Sequence, residues 1–347
     1  MLKSVEKEIE NIAAADIPWD ELKGSTVLVT GASGFIGTYI VCALLKRNIS
    51  VLALVQSKSY AEQKLADYLG YNLKIIEHDV CDKFESDLAA DYIIHCASYA
   101  APREYSLYPV ETMQINVCGT LNMLDYARRV GAKSFVYVST IEIYGKTVGI
   151  DQIDENTYGE IDALHPRSCY PLSKKASETL CIAYAEEYGL DVKIARLSYI
   201  FGPGMSANDS KIVSVFPQCI ADNKDIVLKS KGEQLRSYTY VSDAIKGIFT
   251  VLISGENKNA YNIASSLCVT SIVGIAETLV ELYMDKHLNV KFELPDEGEK
   301  RAFSLIENAV MSGKKLESLG WRPTVDLKEG LKRTVTEKEE LKKERLC

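Results

Sequence analysis

The tightest constraint on this chain is a seven-residue turn, Gly31-Ala32-Ser33-Gly34-Phe35-Ile36-Gly37, set between a short β-branched run and an apolar helix. Thr26-Val27-Leu28-Val29-Thr30 before it reads as a strand. Ile36, Ile40, Val41, Leu44 and Leu45 after it recur at helical spacing on one face. Glycine lets a backbone turn sharply and come close to a pyrophosphate, and the free amides and positive end of the following helix attract the anion. A strand, a glycine-rich turn and a helix, in that order near the start of a domain, predict dinucleotide binding.

The alternation continues. Residues 51–55, 73–76, 92–96, 135–138 and 192–197 read as strands. Residues 60–69, 111–129 and 171–188 read as helices, the last opened by Pro171 and closed by Gly189. Elements of these lengths in this order predict an α/β fold, a doubly wound parallel sheet covered on both faces. Residues 24–197 are expected to form a dinucleotide-binding Rossmann domain, with return segments near residues 237–265. Beyond residue 200 the alternation loosens. Residues 198–236 and 266–330 read as a smaller, mixed C-terminal substrate-binding lobe, with helices near residues 214–221, 241–253, 272–284 and 308–319. Residues 1–23 read as an N-terminal helical extension, and residues 331–347 as a charged C-terminal helix with a solvated face.

Composition narrows function by exclusion. The 347 residues are 47% hydrophobic and 25% charged, enough for a sizeable core. Forty Lys and Arg against 48 Asp and Glu leave a net charge of −8, so no nucleic-acid footprint and no polybasic membrane patch are expected. No apolar run has the length to cross a bilayer, and residues 1–24 carry acidic groups where a secretion signal would be apolar. Nine cysteines without a Cys-x-x-Cys pair and four histidines without ligand spacing predict no disulfide framework and no metal site, and they fit a cytoplasmic protein. An anionic substrate would need a few local cations.

Tyr170 and Lys174 stand four residues apart at the start of a predicted helix, so both project to one side. A phenol with its ordinary pKa of about 10 is a poor base at neutral pH. A neighbouring ammonium favours the phenolate and brings it toward the working range.

The Gly-x-x-Gly-x-x-Gly spacing resembles the short-chain dehydrogenase/reductase superfamily, in the extended branch that modifies nucleotide sugars, and the resemblance runs from about residue 24 to residue 330. It implies that Gly31, Ser33, Gly34, Phe35, Ile36 and Gly37 hold the cofactor diphosphate. Asp79 and Val80 would hold the adenine, Ala97 and Ser98 would lie under the cofactor, and Asn116 would be a structural asparagine of the central helix. Ser139 and Thr140 fall where the superfamily keeps a hydroxyl beside cofactor and substrate; Thr140 is the counterpart that would hold the sugar oxygen. Tyr170 and Lys174 would touch the cofactor as well. The acidic residue usual at the end of the second strand is replaced by Val55-Gln56-Ser57-Lys58. Gln56 suits an unphosphorylated ribose and Lys58 a 2′-phosphate, so NAD is expected and NADP stays open.

Thr140, Tyr170 and Lys174 together suit reversible oxidation of a sugar hydroxyl, and a homodimer through the helices of Asn116 and Tyr170 is implied by the same resemblance. Three reactions share that oxidation: 4-epimerisation, 4,6-dehydration, and decarboxylation of a uronic acid. Family dehydratases show Thr-Asp-Glu and UDP-glucuronate decarboxylases Thr-Ser-Glu, where this chain has Thr140-Ile141-Glu142. Glu142 is therefore expected to assist the step after oxidation, and Ile141 supplies no acid. Pro102, Tyr105, Arg236 and Arg301 match substrate-side positions of the decarboxylases, and Tyr199 stands where they keep an asparagine. A decarboxylase acting on a UDP-glucuronate-type substrate is the leading expectation, with a 4-epimerase or 4,6-dehydratase next. A catalytically silent dinucleotide-binding protein is the alternative of another class, and the intact Tyr170/Lys174 pair argues against it.

Overall fold

Runs of Val, Leu and Ile without polar alternation fill the centre of the molecule, as strands buried on both faces must. This computed structural model describes residues 1–206, 209–293 and 309–346. Six strands, β1 (Thr26–Thr30), β2 (Ser50–Val55), β3 (Leu73–Glu77), β4 (Tyr92–His95), β5 (Ser134–Thr140) and β6 (Val192–Leu197), form one sheet. The chain then leaves through β7 (Tyr199–Phe201), β8 (Ile226–Leu228) and β9 (Leu235–Tyr240) and returns to the sheet edge as β10 (Asn259–Ile263). All pairings in this seven-stranded sheet are parallel, in the order β10-β6-β5-β4-β1-β2-β3. The doubly wound α/β fold is thus present. Strand order reverses between β1 and β4, which opens a crevice at their carboxyl ends, the usual place for a ligand in such a sheet.

Helices α1 (Lys3–Ala13), α2 (Phe35–Lys46), α3 (Lys58–Lys64), α4 (Pro102–Leu107), α5 (Pro109–Val130) and α6 (Cys169–Tyr188) accompany the sheet. Helix α8 (Val241–Ser254) packs back on the sheet against β5, β6 and β10, and the smaller lobe adds α7 (Ile212–Ala221), β11 (Val269–Ser271), α9 (Ile272–Leu282), β12 (Val290–Phe292), α10 (Lys314–Glu317) and α11 (Leu327–Leu346). Its strands make a mixed sheet β11-β9-β7 and a parallel pair β12-β8. Buried Asp243 braces α8 to the chain leading into α11. Its carboxylate accepts the Thr324 and Val325 amides at 2.8 and 2.9 Å and the Thr324 hydroxyl at 2.7 Å.

Two helices depart from their sequence reading. Residues 37–45 of α2 are buried on every side, because α1 and α8 cover the flank turned away from the sheet. Val5, Ile9 and Ile12 of α1 belong to the main core. The C-terminal helix has the solvated face expected of it, at Lys328, Glu329, Lys332 and Thr336, and a buried stripe besides. Leu331, Thr334, Val335, Glu337 and Lys338 of α11 are buried where α11 packs on α7 and α9. Charge content hid an interior stripe, since long charged side chains can be buried when paired, as Glu337 and Lys338 are at 3.2 Å. No helix among the described residues is long and apolar enough to cross a membrane.

Candidate active site

The turn after β1 is shaped by main chain. Gly31 has a φ of +62°, and a side-chain carbon there would meet the Ala97 backbone at 3.0 Å. A carbon added at Gly37 would sit 2.2 Å from the Gly31 carbonyl oxygen, so helix and turn touch directly. Gly34 caps α2 without a side-chain hydrogen bond, which leaves first-turn amides for an anion. The opposite wall is fixed by Thr30. Its hydroxyl oxygen accepts the Cys96 and Ala97 amides at 3.1 Å each and lies 2.7 Å from Nδ1 of His95. Burial pulls the His95 imidazole down to about 3, so it is neutral at working pH.

A cavity of about 1200 Å³ follows this crevice. Gly31, Ser33, Gly34, Phe35, Ile36, Gly37, Gln56, Val80, Ala97 and Ser98, all expected at the cofactor, line it. A glycine-shaped floor, uncapped helix amides and a volume ample for a dinucleotide fit the expected cofactor. Lys58, Asp79, Asn116 and Ser139 are not in this lining, and Asn116 takes the structural place expected of it. Lys58 points along α3 to Glu62, 3.9 Å away, while Lys64, which sequence reasoning missed, lines the cavity and donates to the Ser33 carbonyl at 2.8 Å. Asp79 accepts the Cys81 amide at 2.9 Å in a local turn. Asn116 is buried, accepts the Ser98 hydroxyl and donates to Ser173, both at 2.8 Å, tying the cofactor loop to α6. Ser139, read as a cofactor contact, turns its hydroxyl to Glu178 at 2.5 Å.

Tyr170 and Lys174, on the first turns of α6, do not line this cavity, but Cys96 of its wall is among the groups acting on the Lys174 ammonium. Burial raises the pKa of the Tyr170 phenol, the Thr140 hydroxyl at the end of β5 opposes that, and the Glu142 charge adds to it. Lys174 donates to the Val138 carbonyl at 2.9 Å and lies 4.7 Å from the centre of the Tyr137 ring. Its burial brings the ammonium down to about 8. Tyr105, from α4, stacks on Tyr170 with ring centres 5.0 Å apart and planes 13° apart, and Pro102 opens that helix.

Glu142 lies at the centre of the substrate side. Tyr199 donates to its Oε1 at 3.3 Å, and Arg167 stands 3.7 Å from the same oxygen while donating to the Tyr105 hydroxyl at 3.0 Å. The Glu142 charge pushes up the phenol pKa values of Tyr105, Tyr170 and Tyr199, second to burial at Tyr105 and Tyr199. Arg236 of β9 is buried with its guanidinium 5.7 Å from the Tyr199 ring centre. The structure thus brings together Thr140, Glu142, Tyr170, Lys174, Tyr105, Tyr199 and Arg236; Arg301 lies outside the described residues. Arg167 is a site residue that the sequence reading did not single out. A cation three positions before a candidate base was the signal available.

A doubly wound sheet with a glycine-cradled dinucleotide crevice, and with a Tyr/Lys pair beside a threonine, defines an enzyme that moves a hydride and an alcohol proton. More narrowly, the chain belongs to the NAD dependent epimerase/dehydratase family, whose model matches residues 27–264. It is 32% identical over 311 residues to UDP-glucuronic acid decarboxylase 1 of Xenopus tropicalis, covering 89% of this chain and 71% of that protein. It is 33% identical over 308 residues to UDP-glucuronic acid decarboxylase 6 of Arabidopsis thaliana, covering 88% and 86%. Among solved structures, UDP-glucose 4-epimerase of Thermus thermophilus, in complex with NAD, superposes with a TM-score of 0.77. It shares 26% identity and covers 90% of this chain and 98% of that one.

Proposed function

We propose that this protein is a nucleotide-sugar decarboxylase that oxidises carbon 4 of a UDP-glucuronate-type substrate transiently. The observation that carries the reading is the buried Tyr170/Lys174 pair, one helical turn apart on α6, with Thr140 and Glu142 acting on the phenol. The decarboxylase relatives, similar over nearly nine-tenths of the chain, support it.

NAD, bound along the crevice, supplies the hydride acceptor and returns the hydride within one cycle. Thr140 holds the carbon-4 oxygen, and Tyr170 takes its proton. The Lys174 ammonium, still the major form at neutral pH with its pKa near 8, stabilises the phenolate. The ketone at carbon 4 makes the sugar a β-keto acid. When the carbon-5 to carboxylate bond breaks, its electron pair moves onto the ketone oxygen, and carbon dioxide leaves. A water held by Glu142 delivers a proton to carbon 5, and Tyr170 then returns its own proton to the oxygen at carbon 4. Arg167, beside Glu142, offsets a charge that would otherwise repel a second carboxylate. Arg236 supplies the local cation for the substrate diphosphate in an acidic protein.

Incubation with UDP-glucuronate tests the reading: carbon dioxide and a UDP-pentose are expected, and neither forming overturns it. A 4-epimerase is the second reading, because Ile141 is packed among Ile143, Ile153 and Met311 and epimerisation needs no acid at that position. Its product would be the carbon-4 epimer with the carboxylate retained. In the cell we place the enzyme in the cytoplasm as a homodimer, because exposed Val110, Met113 and Leu121 on α5 would be covered by α5 and α6 of a second copy.

A further inference from the structure

Glu178 lies one helical turn beyond Lys174 and two beyond Tyr170, on the same face of α6. Its carboxylate is buried and fully engaged. Ser139 donates to Oε1 at 2.5 Å. Arg196 of β6 forks onto the group, from Nε at 3.1 and 3.2 Å and from Nη2 at 2.7 Å. The other arm of Arg196 donates to the Tyr144 hydroxyl at 2.9 Å and the Glu155 carbonyl at 3.1 Å, and Tyr144 donates to Asn262 of β10 at 2.6 Å. One carboxylate therefore joins β5 and α6 directly, and β6 and β10 through Arg196.

We infer that Glu178 is a positioning residue for the oxidation step: through Ser139 it clamps the end of β5 onto α6 and so fixes where Thr140 stands relative to Tyr170. Ser139 and Thr140 are neighbours at the end of β5, so holding the one fixes the backbone that carries the other. Stability alone gives little reason for the arrangement, since well-packed hydrophobic residues often replace a buried ion pair at no cost. The groups facing Lys174 are His95 of β4 and Cys96 just beyond it, Tyr137 from β5, and Glu178 and Cys181 from α6. His95 is neutral, and Glu178 opposes the burial that draws the ammonium pKa down.

The inference rests on the Tyr170/Lys174 oxidation proposed above and is tested with whichever nucleotide sugar the wild type turns over. Glu178→Gln should lower kcat by about 10- to 100-fold with KM within about twofold. The alkaline limb of its kcat–pH profile should move to lower pH, because Lys174 then loses its proton sooner. Ser139→Ala, which removes the clamp and keeps the charge, should lower kcat by about tenfold with the limb in place. The double variant should be no slower than Glu178→Gln. A wild-type kcat in either single variant overturns the inference, and so does a slowed Glu178→Gln whose limb has not moved. If Glu178→Gln does not fold, Ser139→Ala decides. Tyr170→Phe in the same assay separates the two readings: if it keeps turning over, the oxidation scheme fails rather than the clamp.

Discussion

The crevice at β1 and β4 and the proposed substrate pocket around Glu142 are built by different means. The crevice uses backbone: glycines that let chains touch, helix amides, and a threonine holding two main-chain nitrogens. The pocket uses long side chains on separate elements, with Arg167, Tyr199 and Arg236 meeting from before α6, from β7 and from β9. Backbone recognition tolerates little change, because geometry leaves few solutions. Side-chain recognition can be rewired one residue at a time, as Tyr199 in place of the family asparagine illustrates.

Substitutions can break or sharpen this contrast. Tyr170→Phe should reduce turnover by about 10³-fold or more while NAD stays bound, as measured by kcat and cofactor content after purification. Loss of the cofactor would instead make Tyr170 part of the crevice. Gly37→Val, forced against the Gly31 carbonyl, should cost about 2–3 kcal/mol and empty the crevice of dinucleotide. Gly70→Ala, in open space, should leave thermal unfolding unchanged. Acid should weaken the β1–β4 junction in particular. His95 is held near 3 when folded and returns to about 6.5 when unfolded, so the unfolded chain takes up a proton that the folded one refuses. Stability is full above about pH 6.5 and falls as pH drops toward 3, by about 2 kcal/mol at pH 5. Chemical denaturation at the two pH values should show that loss, reduced in His95→Gln. The smallest effect belongs to the pocket. Tyr199→Asn should change KM for the nucleotide sugar by about 3- to 10-fold and leave cofactor content alone. A large fall in kcat would show that Tyr199 takes part in the chemistry.

The same contrast explains what the sequence revealed. The strands of the sheet, the glycine turn and the Tyr170/Lys174 spacing follow from local pattern, and each was readable in the sequence. Glu178 also lay at a readable spacing, four residues beyond Lys174, but its partners Ser139 and Arg196 come from β5 and β6, which only the folded sheet brings together. Lys64 against Lys58 is subtler. Both follow β2, and the direction of α3 decides which ammonium reaches the turn. The burial of α11 was hidden because its apolar residues are few and its charged ones pair inside.

The meeting of α1 with α11 has a consequence for how the chain is made. Ser4 bonds Glu340 at 2.7 Å and Glu8 pairs with Arg333 at 2.9 Å, and both helices contribute to the wall of the cofactor cavity through Leu2, Val5, Glu337 and Leu341. During synthesis α1 emerges before α11 and must wait for more than three hundred residues before that partner leaves the ribosome. The cavity wall is completed only once α11 has emerged. Full protection of the dinucleotide from solvent therefore comes late, after the sheet that binds it has had time to form.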